Sequence, residues 1–376
     1  MNNTDSLIVL HVAYVTNDFT SGVSTVVPQY LNAQEKQPNV MVALLNLANN
    51  QIENTTYPVF SKMALRELPA PFCNPSIVVF HEIYRPEFPK LSAELIKRSI
   101  PYIITPHGSL TTIAQAHKHF TKSILNALFY NRFIQNADYV HYLSEKEATS
   151  SSNFKCTNAC IIPNGVDIPN INPNYEKINA ASFIGRLDIE VKGLDLLINS
   201  VPPIAKELRS MEAKINIYGP DDNGSADKLT QLIKHNNISD LVFLKGAVSG
   251  QSKSKALQES KFYIQLSRTE AFGVAILEAL SYGLPIIVTE GTTWKRLANE
   301  KNLGIGVDSS IKDISEAILT LFRNDTLRNA MATTSRKYAI NEYQWKSITE
   351  QQLSLYRNVA HHIQNNNSSY LISRRV

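Results

Sequence analysis

Two glutamates eight positions apart, Glu270 and Glu278, flank an aromatic–glycine step at Phe272-Gly273. An apolar, strand-like run at 262–267 precedes them. A helix is expected to open near Gly273, with Glu278 about two turns in. Each helical residue advances about 1.5 Å, so the segment can present free backbone N–H groups with a carboxylate on either side. Free N–H groups and the positive end of a helix dipole are what a phosphate needs. Carboxylates beside a phosphate must grip something neutral, and sugar hydroxyls fit best. The expected chemistry is nucleotide-sugar binding, with the backbone of Phe272, Gly273 and Val274 at the phosphate or sugar. The competing reading is a bland helix with two solvated glutamates. The strand before the pair and the turn and strand at 283–288 after it weigh against that.

A second constellation is Phe183-Ile-Gly-Arg186 followed by Val191-Lys192-Gly193-Leu194. A strand, a glycine turn, and Arg186 and Lys192 six apart can bring two cations to one anion. Arg offers a planar fork to phosphate oxygens and Lys a compact charge. Surface cations at an ordinary helix start would look the same in isolation. For one such pair taken alone, the surface reading is the commoner one.

Three further turns follow expected strands. Asn17-Asp-Phe-Thr-Ser-Gly22-Val23 can set the N–H groups of Gly22 and Val23 at a helix start, or be an ordinary turn capped by Ser21. Thr105-Pro-His107-Gly108-Ser109 places a histidine, able to donate or accept near neutral pH, at a strand end. His81-Glu82 ends another strand, where acceptor contact is one option. Pro163-Asn164-Gly165-Val166-Asp167 reads as a Pro-fixed turn with Asn or Gly available for positive φ, a structural hinge.

The elements that must position these residues alternate along the chain. Strands are expected at 7–15, 40–47, 77–81, 102–105, 139–143 and 160–162, then at 181–184, 214–218, 242–244, 262–266, 286–289 and 304–307. Strands alternating with helices imply parallel sheets covered on both faces. At 376 residues the chain is long enough for two domains. The Asn- and Pro-rich stretch 168–179 is the linker candidate. The fold class expected is α/β: two Rossmann-like domains with parallel sheets facing a central cleft. Domains are placed at 1–170, 171–345 and 346–376, with 313–356 as consecutive helices and the tail 365–376 frayed.

Composition bounds the rest. With 43% hydrophobic and 19% charged residues the chain is a folded, globular type. A net charge of +4 says little, but 95–137 contains no Asp or Glu and carries Lys97, Arg98, Lys118, Lys122 and Arg132. Within it, 112–134 spaces Ile113, Phe120, Ile124, Leu128 and Phe133 as an amphipathic helix. Such a helix either faces the core with solvated lysines or lies on an anionic membrane. Cys73, Cys156 and Cys160 read as reduced thiols. Neither a signal peptide nor a spanning segment is expected, which points to a cytoplasmic protein, peripheral on the inner face of the plasma membrane if the basic helix docks. Gly304-Ile-Gly306 lacks the third glycine and the position of a dinucleotide fingerprint. No nucleic-acid partner is expected.

The segment Ser267-Arg-Thr-Glu-Ala-Phe-Gly-Val-Ala-Ile-Leu-Glu-Ala279 resembles the E-x7-E motif of the retaining glycosyltransferases, in particular family four of the GT-B enzymes. Gly185-Arg186 and Lys192-Gly193 resemble that family's G-R-x5-K-G segment, the turn at 163–167 its P-N-G-V-D hinge, and the loop at 17–22 its glycine loop. The last departs from the pattern, with Ser21 in place of the first of two adjacent glycines. The resemblance implies transfer of a sugar from a UDP- or GDP-sugar to a hydroxyl of a glycan or lipid-linked acceptor, with retention. It gives Arg186 and Lys192 the donor diphosphate and Glu270 the donor-sugar hydroxyls. Glu278 would take the ribose diol, and His107 would contact the donor sugar near the reacting centre. It implies no cofactor and no metal. Bacterial surface-polysaccharide assembly is the expected setting. A GT-B nucleotide-sugar epimerase and a non-catalytic GT-B binding module are the rivals. The module would have lost one of Arg186, Lys192, Glu270 or Glu278, and this chain has all four.

Overall fold

The computed structural model describes residues 6–17, 22–48, 50, 52, 55–61, 64–116, 119–151, 153–154, 158–171 and 177–365. Ser21, Lys118, Cys156 and the tail 366–376 lie outside the described residues, as does 172–176 of the linker candidate. Two compact units emerge, one of Met1–Gly165 with Trp345–Val376 and one of Val166–Gln344. The divisions fall at 165/166 and 344/345, against the 170/171 and 345/346 read from the sequence.

The first unit is built on a seven-stranded sheet. Its strands are β1 (Leu7–Ala13), β2 (Val40–Asn46), β3 (Val59–Ser61), β4 (Ile77–His81), β5 (Tyr102–Thr105), β6 (Tyr139–Tyr142) and β7 (Ala159–Ile161). Their order is β3-β2-β1-β4-β5-β6-β7, and all neighbours are parallel. Both faces of β1 are buried, as a doubly covered strand requires, and His11 is its one polar side chain. Leu10 and Val12 enter the core shared with Phe80, Phe88 and Phe133. Leu7, Val9 and Ala13 enter the opposite core with Val23, Val27 and Leu31 of the helix Gly22–Glu35. Leu353, Tyr356 and Val359 of the last helix, Trp345–Asn365, complete that second core.

The second unit carries a six-stranded parallel sheet of β8 (Ala180–Ile184), β9 (Lys214–Tyr218), β10 (Val242–Leu244), β11 (Phe262–Gln265), β12 (Ile286–Thr289) and β13 (Gly304–Val307). The order is β10-β9-β8-β11-β12-β13, the Rossmann order 3-2-1-4-5-6 in local numbering. Chain direction reverses its walk across the sheet between β8 and β11, where ligands bind in such folds. Gly304-Ile-Gly306 lies inside the edge strand β13 and not at a strand-to-helix turn. Among the described residues no helix is long and apolar enough to cross a membrane.

The stretch 112–134 differs from the single amphipathic helix expected. Helix is described at Thr112–Ala116, and a helix over 119–135 carries a π-turn at Asn126–Tyr130 between His119–Leu125 and Asn131–Gln135. The π-turn changes the register of the face. Phe133 turns into the core at 2% exposure, while Ile113, Phe120, Ile124 and Leu128 stay exposed, joined by Phe129.

Candidate active site

Two loops at the carboxyl ends of β8 and β11 build the second unit's site. Lys192 Nζ donates to Glu270 Oε2 at 2.6 Å, and both side chains are mostly buried. Glu270 Oε2 also accepts from Gln265 Nε2 at 2.8 Å and Ser267 Oγ at 3.3 Å. Glu270 is thus fixed in position by groups at the end of its own strand, with its second oxygen left for a ligand hydroxyl among the described contacts.

The two loops are locked together by backbone proximity. Gly193 sits at φ 63°, and a Cβ there would lie 2.0 Å from the Leu266 carbonyl oxygen. Arg268 reinforces the contact. Its N–H donates to Val191 O at 2.9 Å. Its guanidinium donates to Glu190 O at 2.8 Å and forks onto Asp195 at 2.8 and 2.6 Å.

Gly273 caps the helix Val274–Ser281 in the left-handed region, φ 83°. The Ile276 and Leu277 N–H groups bond to the Gly273 carbonyl at 3.0 and 3.2 Å. The N–H groups of Val274 and Ala275 therefore stand ahead of the helical ladder, as a helix N-terminus leaves them. The Phe272 carbonyl is occupied by Trp294 Nε1 at 2.6 Å, and its ring packs among Trp294 and Tyr343. Phe272 therefore offers its backbone N–H and no side-chain contact. On the next turn Glu278 forms an ion pair with Lys253. Its Oε2 is buried and makes no directed hydrogen bond beyond that charge contact.

Arg186 and Lys192 do not share one partner here. Arg186 Nη1 donates to Asp222 Oδ2 at 3.0 Å, with Asp188 3.8 Å from Nη2. Each cation is balanced by its own carboxylate.

In the first unit, Pro106–Ser109 forms a tight turn. His107 and Gly108 both take positive φ, 51° and 84°, and Ser109 N–H closes on Pro106 O at 3.1 Å, as in the primed turns. Glu147 fastens it by accepting from Gly108 N–H at 2.5 Å and Leu143 N–H at 2.7 Å. Burial nevertheless raises the Glu147 carboxyl to about 7, against those two bonds. His107 Nε2 meets His81 Nδ1 at 2.9 Å, and His81 Nε2 meets His11 Nδ1 at 2.9 Å. Desolvation lowers His11 to about 4 and His107 to about 3, although His107 as a residue is only partly buried. His81 is pulled well below its ordinary value by burial first and then by its histidine neighbours. At 1% exposure His81 is closed to an acceptor, so of the His81-Glu82 pair only the partly exposed Glu82 keeps that option. Gly22 opens its helix and is exposed, with nothing within 4 Å of where a Cβ would stand.

Two family models divide the chain between them. The one described as Glycosyltransferase Family 4 matches residues 25–169, and Glycosyl transferases group 1 matches 167–338. Together these two glycosyltransferase models span residues 25–338 of the chain. Its fold is GT-B, two Rossmann-like domains. Sucrose-phosphate synthase from Thermosynechococcus elongatus matches it with a TM-score of 0.74 at 16% identity, over 93% of this chain and 98% of that one. Anabaena HepE, solved with UDP and glucose, gives a TM-score of 0.73 at 15% identity, over 93% and 100%. In sequence, the chain is similar to a poly(ribitol-phosphate) alpha-N-acetylglucosaminyltransferase of Staphylococcus aureus, 27% identical over 59% of this chain and 45% of the relative. A phosphatidyl-myo-inositol mannosyltransferase of Mycobacterium leprae is 25% identical over 54% of each. The chain thus spans about half the length of these two relatives. A GDP-mannose:cellobiosyl-diphosphopolyprenol alpha-mannosyltransferase of Xanthomonas oryzae is 25% identical over 68% of this chain and 67% of its own.

Within this chain, the Arg–Lys and glutamate segments sit at strand ends of the second sheet, and Lys192 and Glu270 meet directly. Sequence reasoning missed Gln265, Arg268 with Asp195, Asp222 and Lys253. Ser267 and Arg268 were inside the quoted motif, but nothing in their spacing names their partners.

Proposed function

We propose that this chain is a retaining glycosyltransferase that moves a sugar from a UDP- or GDP-sugar to a hydroxyl of a glycan or glycolipid acceptor. The observation that carries the reading is the Lys192–Glu270 pair at the reversal point of the second sheet. A cation suited to a diphosphate and a carboxylate suited to sugar hydroxyls are held side by side there. The domain assignment proposed is acceptor binding by 1–170, donor binding by 171–345, and in 346–376 a helix returning to the first domain followed by a tail.

On donor binding, Arg186 and Lys192 exchange carboxylate partners for diphosphate oxygens, and the free N–H groups at 272–275 add donors. Glu270 takes hydroxyls of the donor sugar, Glu278 the ribose diol, and His107 the transferred sugar. The bond from the anomeric carbon to the phosphate oxygen breaks as the acceptor oxygen bonds to that carbon from the same face. The departing phosphate oxygen takes the acceptor's proton, so no separate carboxylate base is needed. Charge growing on the leaving group is met by fixed cations and N–H dipoles, which leaves no task for a metal. Two of the similar proteins are named for alpha-linked products, which supports retention.

Membrane association on the cytoplasmic face is part of the proposal. Ile113, Phe120, Ile124, Leu128 and Phe129 are between 46% and 79% exposed in a segment free of acidic residues from 95 to 137. Apolar side chains among basic ones suit an anionic lipid surface. A lipid-linked acceptor in bacterial surface-polysaccharide assembly, whether O-antigen, capsule or exopolysaccharide, fits that placement.

The test is product analysis with a nucleotide-sugar and candidate acceptors. Acceptor-dependent release of nucleoside diphosphate, with the donor's anomeric configuration kept in the product, is expected. An altered sugar released without acceptor would identify an epimerase, and an inverted product would rule out this mechanism.

A further inference from the structure

His11, His81 and His107 form one hydrogen-bonded row across three neighbouring strands. His11 lies within β1, His81 ends β4, and His107 follows β5. The two ring-to-ring distances are both 2.9 Å, and adjacent rings are tilted by only 20° and 28°. Alternation along the strands puts His11 on the face of Val9 and Ala13, and His81 on the face of Ile77 and Val79. That face is covered by the helices Gly22–Glu35 and Trp345–Asn365. From the first of these, Gln34 Oε1 closes the row at 2.9 Å from His11 Nε2.

The row has a direction. Gln34 Nε2 donates to Gln352 Oε1 at 3.0 Å, so the Gln34 oxygen faces His11 and must accept. A neutral imidazole has one N–H and one lone pair. His11 therefore donates from Nε2 and accepts at Nδ1. His81 must donate to it from Nε2, which leaves His81 Nδ1 as an acceptor. His107 must in turn donate from Nε2. Its Nδ1 is left as a bare lone pair, and no hydrogen bond to it is made among the described residues.

We infer that His81 and His11, set by Gln34, are positioning residues that hold His107 in the Nε2–H tautomer, so that His107 Nδ1 accepts a hydrogen bond from a hydroxyl of the transferred sugar. This rests on the reading above that His107 contacts that sugar. The row works only while all three rings are neutral, since a doubly protonated ring has no acceptor to offer. Burial depresses the basicity of each one. A sugar contact by His107 is then that of an acceptor and not of an acid. The selectivity it confers is for a donor sugar whose hydroxyl can reach it, because a site built to bond a hydroxyl rejects the analogue lacking one. The logic is that of a buried group fixing a catalytic imidazole's tautomer from behind.

The experiment is a long-range proton–nitrogen correlation spectrum of the full chain, with nitrogen-15-labelled histidine, at neutral pH. Nε2–H with an unprotonated Nδ1 at His107, His81 and His11 is expected. Nδ1–H at His107, or a mixture, overturns the inference whatever any variant does. Activity supplies the second readout. His81→Phe removes the acceptor facing His107 and should lower kcat by roughly tenfold. His81→Asn sets an amide oxygen near the place of Nδ1 and should keep kcat within about threefold. Wild-type kcat in folded His81→Phe overturns the positioning role. His107→Ala separates the two layers. If it keeps wild-type turnover, the sugar-contact reading fails and this inference with it. If it loses turnover while the spectrum shows Nδ1–H, only this inference fails.

Discussion

Lys192 Nζ and Glu270 Oε2 lie 2.6 Å apart although 78 positions separate them in sequence. The contact ties the loop after β8 to the loop after β11, and both glycines that flank it are structurally committed. Gly193 is pressed against the Leu266 carbonyl and Gly273 starts the helix that carries Glu278. The pair is therefore a consequence of sheet order, and not of a flexible surface encounter.

Removal of the carboxylate should expose its role. Glu270→Ala is expected to lower turnover by something like 10²–10³, the scale of losing one strong transition-state contact, in protein whose melting behaviour stays cooperative. Steady-state assay with a working donor–acceptor pair checks this, and unchanged turnover would remove Glu270 from the mechanism.

The cation makes a different prediction. Lys192→Ala should weaken donor sugar-nucleotide and free nucleoside diphosphate alike, by about 1.5–3 kcal/mol or roughly 10- to 150-fold. Calorimetric titration of both ligands measures it. Loss of donor binding with diphosphate affinity intact would place Lys192 on the sugar and not the phosphate.

Much of this arrangement could be read from the sequence, for definable reasons. Short β-branched runs gave β4, β5, β9, β10, β12 and β13 at the observed bounds, because buried parallel strands are apolar on both faces and end abruptly at turns. The strand β3 escaped, being three half-exposed residues at a sheet edge. The glutamate and Arg–Lys segments were readable because glycine, proline and charge occur there in fixed order. Their partners were not. Lys253 reaches Glu278, and Asp195 forks with Arg268, through distances that only the sheet order creates. The histidine row had a faint signal. Period-two alternation places His11 with Val9 and His81 with Val79, but strand adjacency of β1, β4 and β5 is needed to join them. The π-turn at 126–130 left no mark in the apolar spacing, so Phe133 was grouped on one face with side chains that stay exposed.

Backbone strain offers a test of the loop-to-loop contact. Gly193→Ala adds a methyl 2.0 Å from the Leu266 carbonyl oxygen at a left-handed φ. A stability loss of about 2 kcal/mol or more is expected, read as a lower urea midpoint, together with weaker nucleoside diphosphate binding. A neutral effect on both would show that the two loops are not held together there.

Acidification should destabilise the first unit. Burial lowers His11 and His141 from 6.5 to about 4, and lowers His107 and His81 as well. Below pH 6.5 the unfolded chain binds protons that the folded chain refuses, so stability present above that pH is lost as pH falls toward the folded values. At about pH 5 the loss is about 2 kcal/mol each for His11 and His141. Glu147 runs the other way. Its folded value is raised from 4.5 to about 7, so its contribution is present below 4.5, disappears as pH rises through 7, and offsets about one histidine. Urea denaturation between about pH 7 and about pH 5 should show a net fall, and a rise would mean that Glu147 dominates.

Lipid contact is testable apart from catalysis. The chain should sediment with vesicles containing anionic lipid and less with neutral ones, with binding falling as salt rises. Phe120→Ser with Leu128→Ser should reduce it severalfold. Equal sedimentation with both vesicle types would argue against the basic segment as the contact.

The most direct test of the central claim is thermal stabilisation by a panel of nucleoside diphosphates and nucleotide-sugars, compared in wild type and Lys192→Ala. A ligand that binds only the folded state raises the melting temperature. The account predicts a rise with one base series, UDP or GDP, that is lost or strongly reduced in folded Lys192→Ala. No response of folded wild-type protein to any nucleotide would contradict it and leave a GT-B fold that binds something else.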